Sequence, residues 1–154
     1  MNQEYFENIV GEMFKKFMHT FFGYEFKKYN LFKPKDDTGH FDNVIFISLF
    51  GGIEGGFLLE VDNSTAKTFL TQVHISLKQE IDFHHLVKGY IGEFGNILAS
   101  RIATNLGRNF GDTFLSTPSL FSGTGMVVDL FYEQNYRVCI DNDFGIFKIG
   151  FSFT

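Results

Sequence analysis

The sequence has little cysteine, no tryptophan and no long apolar segment, and these absences exclude several classes of protein. Cys139 is the single cysteine among 154 residues, which excludes a disulfide framework and a cysteine-based zinc site and favours a reducing, intracellular compartment. No uninterrupted apolar run reaches the roughly 18 residues that a membrane-spanning helix needs. The N-terminus carries Glu4 and Glu7 where a secretion signal would be basic. We therefore expect a cytoplasmic domain without membrane insertion.

The composition is that of a folded domain with an aromatic core. Hydrophobic residues make up 44% of the sequence and charged residues 20%, which excludes a disordered chain. The length suffices for one proper core, so we expect residues 1–154 to form a single domain. Phenylalanine is frequent, with 22 copies, and the formal net charge is −5. That charge argues against a nucleic-acid partner, because such binding depends on cationic contacts to phosphates.

Hydrophobic periodicity and turn residues predict helices interleaved with strand pairs. The N-terminal segment has apolar residues at three- and four-residue steps, and Gly23 follows at the position of a helix C-cap. Short runs rich in β-branched and aromatic residues, bounded by turn residues, predict strands. The predicted helices cover residues 3–22, about 63–77 and 82–106, an extended piece covers 24–32, and the predicted strands cover 44–50, 56–61, 110–115, 125–132, 135–140 and 146–153. We therefore predict an α+β domain of two layers, with three helices on a mainly antiparallel sheet of about six strands.

Glycines and prolines recur at a fixed offset and predict an internal duplication. The pairs that are each 84 residues apart are Gly23 and Gly107, Pro34 and Pro118, and Gly39 and Gly123. Each half then contains a helix, a glycine stop, a short strand, a proline turn and a strand pair. This order predicts a pseudo-twofold domain with both strand pairs in one sheet.

The candidate site lies on the longest predicted helix, opposite its apolar stripe. At about 100° per residue, Glu93 and Asn96 project side by side, and Gly89, Gly92 and Ser100 near them are small. Each interior glycine costs a helix about 1 kcal/mol relative to alanine. A low surface with a protruding carboxylate and amide would fit a partner's cleft. The apolar stripe, which should face the core, consists of Val87, Tyr90, Ile91, Phe94, Leu98 and Ile102.

Other residues follow this pair in a recognisable order. After Glu93-x-x-Asn96 come Leu106 and then Pro118 and Gly123. This order resembles the signature of the CheC/CheX/FliY family of chemotaxis phosphatases, which has E-x-x-N on a helix, then a leucine, and a proline and a glycine beyond the helix. The upstream hairpin at residues 48–59 and the helix that follows it are also similar to the family, so the resemblance spans roughly the whole chain.

The resemblance implies an activity and a role for each site residue. Family members dephosphorylate the response regulator CheY, whose aspartyl phosphate lies beside its own Mg²⁺ and lysine, so we expect no cofactor of the chain's own. Asn96 would orient the hydrolytic water, because a neutral amide does not repel the phosphoryl group. Glu93 would pair with a lysine of CheY. Gly89, Gly92 and Ser100 would contact the partner, and Ser100 replaces a glycine that is common in the family, which affects the fit.

The chain is similar to the members of the family that have one site. The residues 84 positions before the pair are Ile9 and Glu12, so the first helix lacks a second pair. Relatives can form homodimers by joining strands, and the C-terminal run 146–153 is the predicted edge. Two alternatives stay open: a non-catalytic module that binds a response regulator or flagellar component, and a core domain in which the glycine face packs internally and Glu93 and Asn96 are buried.

The five histidines do not predict a metal site. His84 and His85 are adjacent in the sequence, so their side chains point away from each other, and His74 belongs to another predicted element. Cys139 alternates with apolar neighbours in a predicted strand, which is typical of a small buried residue.

Overall fold

The computed structural model describes residues 1–35, 41–73, 80–130 and 132–154. A π-helical turn, Val87–Ile91, joins the helices Glu80–Leu86 and Gly92–Phe110 into one continuous helix. The helices are α1 (Gln3–Phe22), α2 (Asn63–Gln72), α3 (Glu80–Leu86) and α4 (Gly92–Phe110). The strands are β1 (Tyr29–Phe32), β2 (Phe41–Gly51), β3 (Gly55–Val61), β4 (Thr113–Leu115), β5 (Ser119–Met126), β6 (Gln134–Asn142) and β7 (Gly145–Phe153).

All strand pairings in the described sheet are antiparallel. The order across the sheet is β1-β6-β7-β3-β2-β4, and β5 also pairs with β2, so seven strands fill six positions. The helices pack on one face of this sheet, where Phe57 and Leu59 of β3 contact α4. This is the α+β architecture with three helices that the sequence predicted, since α3, the π turn and α4 form one helix.

The sheet has a pseudo-twofold arrangement about its centre, where β3 pairs with β7. The hairpin of β2 and β3 corresponds to that of β6 and β7, and β1 at one end corresponds to β4 at the other. Tyr29 and Thr113, which begin β1 and β4, keep the predicted offset of 84 residues. Gly39, part of the third repeated pair, lies outside the described residues, so its role stays a prediction.

The prediction that residues 146–153 form an edge is wrong. β7 pairs with β3 on one side and with β6 on the other, over nearly its whole length. Its buried residues explain the apolar run, because a strand that is covered on both faces needs no polar alternation. The ends of the sheet, among the strands described, are β1 on one side and β4 with β5 on the other.

Several element boundaries differ from their predictions. The strand predicted at 125–132 lies earlier in the chain, as β5, which begins directly after Pro118. Residues 127–130 are not part of a strand, and the Leu130 side chain packs against Gly56 of β3. The last helix does not stop at Gly107: it continues to Phe110, and Gly111 follows with a φ of +91°. α2 ends at Gln72. Residues 74–79, which the sequence placed partly in α2, lie outside the described part.

Phenylalanines fill the space between helices and sheet, as the composition predicted. Phe14 of α1 is 1% exposed, and its ring centroid lies 4.8 Å from that of Phe94 of α4 and 4.8 Å from that of Phe147 of β7, tilted against both rings. Each fully buried phenylalanine stabilises the fold by about 2–3 kcal/mol. These contacts fix α1 and α4 side by side on the sheet, and that arrangement determines what surrounds the candidate site.

Candidate functional site

Glu93 and Asn96 lie one turn apart near the start of α4, and both reach the surface. The Glu93 side chain is exposed and Asn96 is half-buried. Neither has a hydrogen-bond or ion-pair partner among residues 1–35, 41–73, 80–130 and 132–154. This exposure does not fit the alternative in which both residues are packed inside the domain. A carboxylate and an amide are therefore free to bind groups of another molecule.

A π-helical turn directly precedes the pair and sets its direction. The Gly92 N–H donates to the carbonyl of Val87, which is an i to i−5 hydrogen bond. A π turn contains more residues than an α turn, so it rotates the helix before it relative to the helix after it. The prediction that Tyr90 faces the core is wrong for this reason: Tyr90 is 37% exposed, whereas Ile91 is fully buried. π turns are rare in proteins, and those that do occur are often found at functional sites.

The glycines of this helix divide between surface and interior. Gly89 is exposed, and a Cβ there would have no heavy atom of the described part of the chain within 4 Å. Gly92 is buried, and a Cβ there would lie 3.7 Å from Cβ of Pro118. Gly95 faces the sheet, 3.5 Å from Cε1 of Phe57 by the same measure. The expectation that Gly92 offers a surface to a partner is thus corrected: Gly92 is buried beside the turn at Pro118. The partner contact predicted for Gly89 stays a prediction.

A groove between α1 and α4 begins at the candidate site. It has a volume of about 480 Å³, and we call it the α1–α4 groove. Asn96, Ser100 and Arg101 line it from α4, and Lys16 and Phe21 are among the residues that line it from α1. Sequence reasoning assigned no site residue to α1, because only helix packing brings it next to Asn96. The sequence pattern placed Phe21 in the apolar stripe of α1, and only the structure shows that it is 60% exposed.

His84 and Cys139, which the sequence also singled out, lie in contacts within the domain. Nδ1 of His84 lies 3.2 Å from the Ser122 hydroxyl, a contact between α3 and β5. In the part of the chain that the structure describes, no three His, Cys, Asp or Glu residues cluster in a way that could hold a metal ion. Burial raises the pKa of the Cys139 thiol to about 11. Within the described ranges, no helix is long and apolar enough to cross a membrane. His74 lies outside them.

Solved structures with a similar fold include proteins of bacterial chemotaxis. A putative chemotaxis protein from Desulfovibrio vulgaris Hildenborough superposes with a TM-score of 0.76 at 17% identity, over 97% of each chain. A CheC-like superfamily protein from Shewanella sp. PV-4 has a TM-score of 0.76 at 18% identity, over 100% of this chain and 99% of its own. CheX from Borrelia burgdorferi, solved in a complex with CheY, BeF3 and Mg²⁺, has a TM-score of 0.75 at 14% identity, over 99% of this chain and 97% of its own.

The sequence itself also matches a family. No protein of curated function matches it significantly. The sequence profile of the family described as chemotaxis phosphatase CheX matches residues 44–141. This range is well over half of the chain and includes the helix that carries Glu93 and Asn96. The chain therefore belongs to the CheX family of chemotaxis phosphatases.

Proposed function

We propose that this chain hydrolyses the aspartyl phosphate of a CheY-type response regulator, with Glu93 and Asn96 as its site. The observation that carries the proposal is the placement of this pair: both residues reach the surface of one helix in a CheX-family chain, without a partner inside the described residues. The complex of B. burgdorferi CheX with CheY supports a CheY-type partner, because that protein shares this fold.

The proposed chemistry needs little from this chain beyond positioning. A water oxygen attacks phosphorus in line with the bond to the regulator's aspartate, that bond breaks, and the products are inorganic phosphate and the free aspartate. The regulator's own Mg²⁺ and lysine neutralise the phosphoryl oxygens. Asn96 accepts a hydrogen bond from the water and holds it for attack, since its amide carries no charge that would repel the phosphate. The partner thus supplies the metal.

We assign Glu93 to the docking of the response regulator. Its carboxylate is exposed at the first turn of α4, so it can reach a cation on the partner without a desolvation penalty inside its own domain. A carboxylate that approached the phosphoryl group itself would be repelled. We therefore assign it to the regulator's lysine, where it fixes the register of Asn96 over the phosphate. Gly89, which is exposed and has no side chain, allows the close approach.

We also propose where two copies of this chain would pair. β5 borders the sheet and is mostly exposed, and it carries Phe121, which is 50% exposed. An exposed edge strand with unpaired backbone groups can add a strand from a second copy. The homodimer predicted from the sequence would therefore form at β5, since β7 is interior. Light scattering of the purified chain tests this pairing.

The decay of phosphorylated CheY tests the proposed function. Asn96→Ala should reduce the turnover number by at least about 100-fold, the size of effect that follows loss of one positioned catalytic group. Its KM should change little, because docking depends on other residues. Glu93→Ala should instead raise KM. The circular dichroism of both variants should match that of the wild type, because alanine favours a helix at either position.

A matched control is available on the first helix. Glu4 is exposed on α1 and does not line the α1–α4 groove, and Glu4→Ala removes a carboxylate from a helix without touching the pair. This variant should behave like the wild type. An Asn96→Ala protein that accelerates phosphate loss as well as the wild type does would contradict the proposal. Binding of phosphorylated CheY without any acceleration by the wild type would favour the non-catalytic module.

A further inference from the structure

Two cations stand next to the candidate site without an anionic partner. Lys16 of α1 and Arg101 of α4 are both exposed. Neither makes an ion pair or hydrogen bond within the ranges that the structure describes. Some other cations of this acidic chain do have an anionic partner, namely Lys28 with Asp141, Arg137 with Asp129, and Lys148 with Glu60. Lys16 and Arg101 thus place two positive charges between α1 and α4, together with the carboxylate of Glu12, in a chain whose net charge is −5.

The two cations lie beside each other on the groove wall. Lys16 and Arg101 line the α1–α4 groove, and both also line the adjoining depression near Tyr5 and Asn8. Residues shared by two neighbouring depressions form the ridge between them. Arg101 is five residues beyond Asn96, which corresponds to about 7.5 Å along the helix axis and about 140° around it. Because both residues nevertheless line the α1–α4 groove, a partner that covers Asn96 and the groove also reaches this ridge.

An aromatic ring completes the other end of the groove. Phe21 is 60% exposed, and its ring lies 5.0 Å from that of Phe17, which is only 6% exposed. Phe21 thus packs against a buried ring while more than half of its own surface stays exposed. Exposed aromatics of this kind are frequent anchors of protein interfaces, because they bury a large apolar area at a small entropic cost.

We infer that the α1–α4 groove is the second part of the surface that binds the phosphorylated response regulator. It receives an apolar side chain of the regulator against Phe21, and Lys16 and Arg101 pair with an acidic side chain next to it. This inference rests on the proposed function. Asn96 is itself a wall of the groove, so a regulator whose phosphate reaches Asn96 covers the groove.

The size of a specific interface supports the same occupant. Stable protein complexes bury about 800 Å² on each partner. Two side chains on one helix turn do not provide that area, and the surface that continues from Asn96 is the groove. Exposed ion pairs contribute modestly to affinity but strongly to encounter rate and choice of partner. Lys16 and Arg101 are therefore specificity-determining residues, and Asn96 remains the residue that acts on the water.

Steady-state dephosphorylation of CheY at low and high salt tests the inference. The double variant Lys16→Glu/Arg101→Glu should raise KM about 10-fold or more at low salt and leave kcat within twofold, and the effect should shrink as salt rises. Phe21→Ala should raise KM in a manner that does not depend on salt. The matched control is Lys33→Glu/Lys35→Glu, which makes the same change of net charge at exposed residues that do not line the groove. This control should keep KM within twofold.

Asn96→Ala, measured beside these variants, separates the two proposals. If Asn96→Ala loses activity while the Lys16→Glu/Arg101→Glu variant keeps the wild-type KM at low salt, the groove is not a docking surface and the proposed function stands. If Asn96→Ala stays active, the proposed function fails. Light scattering at the assay concentration tests whether a second copy of this chain occupies the groove instead. A charge reversal that dissociates a dimer would assign the groove to a second copy of this chain and overturn the inference.

Discussion

Substitution of Gly89 by alanine should stabilise the protein and weaken its activity, and the size of each effect follows from the environment of Gly89. A Cβ at Gly89 meets no heavy atom within 4 Å, and φ there is not in the left-handed region, so alanine fits without strain. Alanine is more favourable than glycine inside a helix by about 1 kcal/mol, partly because it restricts the unfolded chain. For a domain of this length, that gain raises Tm by about 2–4 °C.

The added methyl should act in the opposite direction on the complex. If Gly89 contacts the regulator, the methyl enters a packed interface, where an extra carbon costs about 1–3 kcal/mol. At 1.4 kcal/mol per tenfold change, KM should rise by roughly 5- to 150-fold. Thermal unfolding and the decay of phosphorylated CheY measure the two effects on the same protein.

Gly95→Ala is the matched control for this experiment. It makes the same substitution on the same helix, but its Cβ would face the sheet, at ordinary contact distances of 3.5 to 3.8 Å from Phe57, Ile47 and Leu59. This variant should also be stabilised and should keep its KM. A Gly89→Ala protein that is stabilised yet has an unchanged KM would refute the role of Gly89 in docking. A loss of stability would refute the reading of the helix surface.

Two further predictions concern the fold. Burial raises the pKa of Asp143, but hydrogen bonds from the Lys27 N–H, the Tyr24 hydroxyl and the Lys28 N–H together outweigh it and hold this pKa below its usual range. Asp143→Asn should therefore cost about 1–3 kcal/mol at pH 7. In urea unfolding this difference should shrink as the pH falls below about 4 and through the lowered pKa, and a constant difference would contradict the assignment. Lys148→Met should destabilise the protein by about 3–5 kcal/mol, because it leaves the Glu60 carboxylate buried without its partner at 3.6 Å. The double variant Lys148→Met/Glu60→Leu should recover much of this loss in chemical denaturation, and additive costs would argue against the pair.

Local patterns were enough to predict much of the site. Residues three apart on a helix lie on one side of it whatever surrounds the helix, so the sequence placed Glu93 and Asn96 together. The apolar stripe of α1 likewise depends on a local period, and the structure buries Phe6, Val10 and Phe17 of it but leaves Phe21 60% exposed. The 84-residue offset is a repeat that the sequence itself contains, and β1 and β4 begin 84 residues apart. Tyr90 was wrongly predicted to face the core, because the prediction used one helical period throughout, whereas this helix contains a π turn.

Contacts between distant segments could not be obtained in this way. The run at residues 146–153 has the composition of a strand, but composition does not say which strands flank it, and it proved to be central. Gly92 and Gly89 look alike in sequence, yet Pro118 packs against the first, whereas a Cβ at the second would meet no described residue within 4 Å. In each case the deciding neighbour is more than twenty residues away in the chain.

The sequence by itself determined the element types, the aromatic core and the carboxylate–amide pair on one helix, because each follows from residue chemistry and short-range spacing. Only the tertiary structure decided which strands border the sheet, which glycines reach the surface, and that α1 brings Lys16 and Phe21 beside Asn96. The physical reason is that these features depend on how Phe14, Phe94 and the sheet pack together, and such packing joins residues that no local pattern relates.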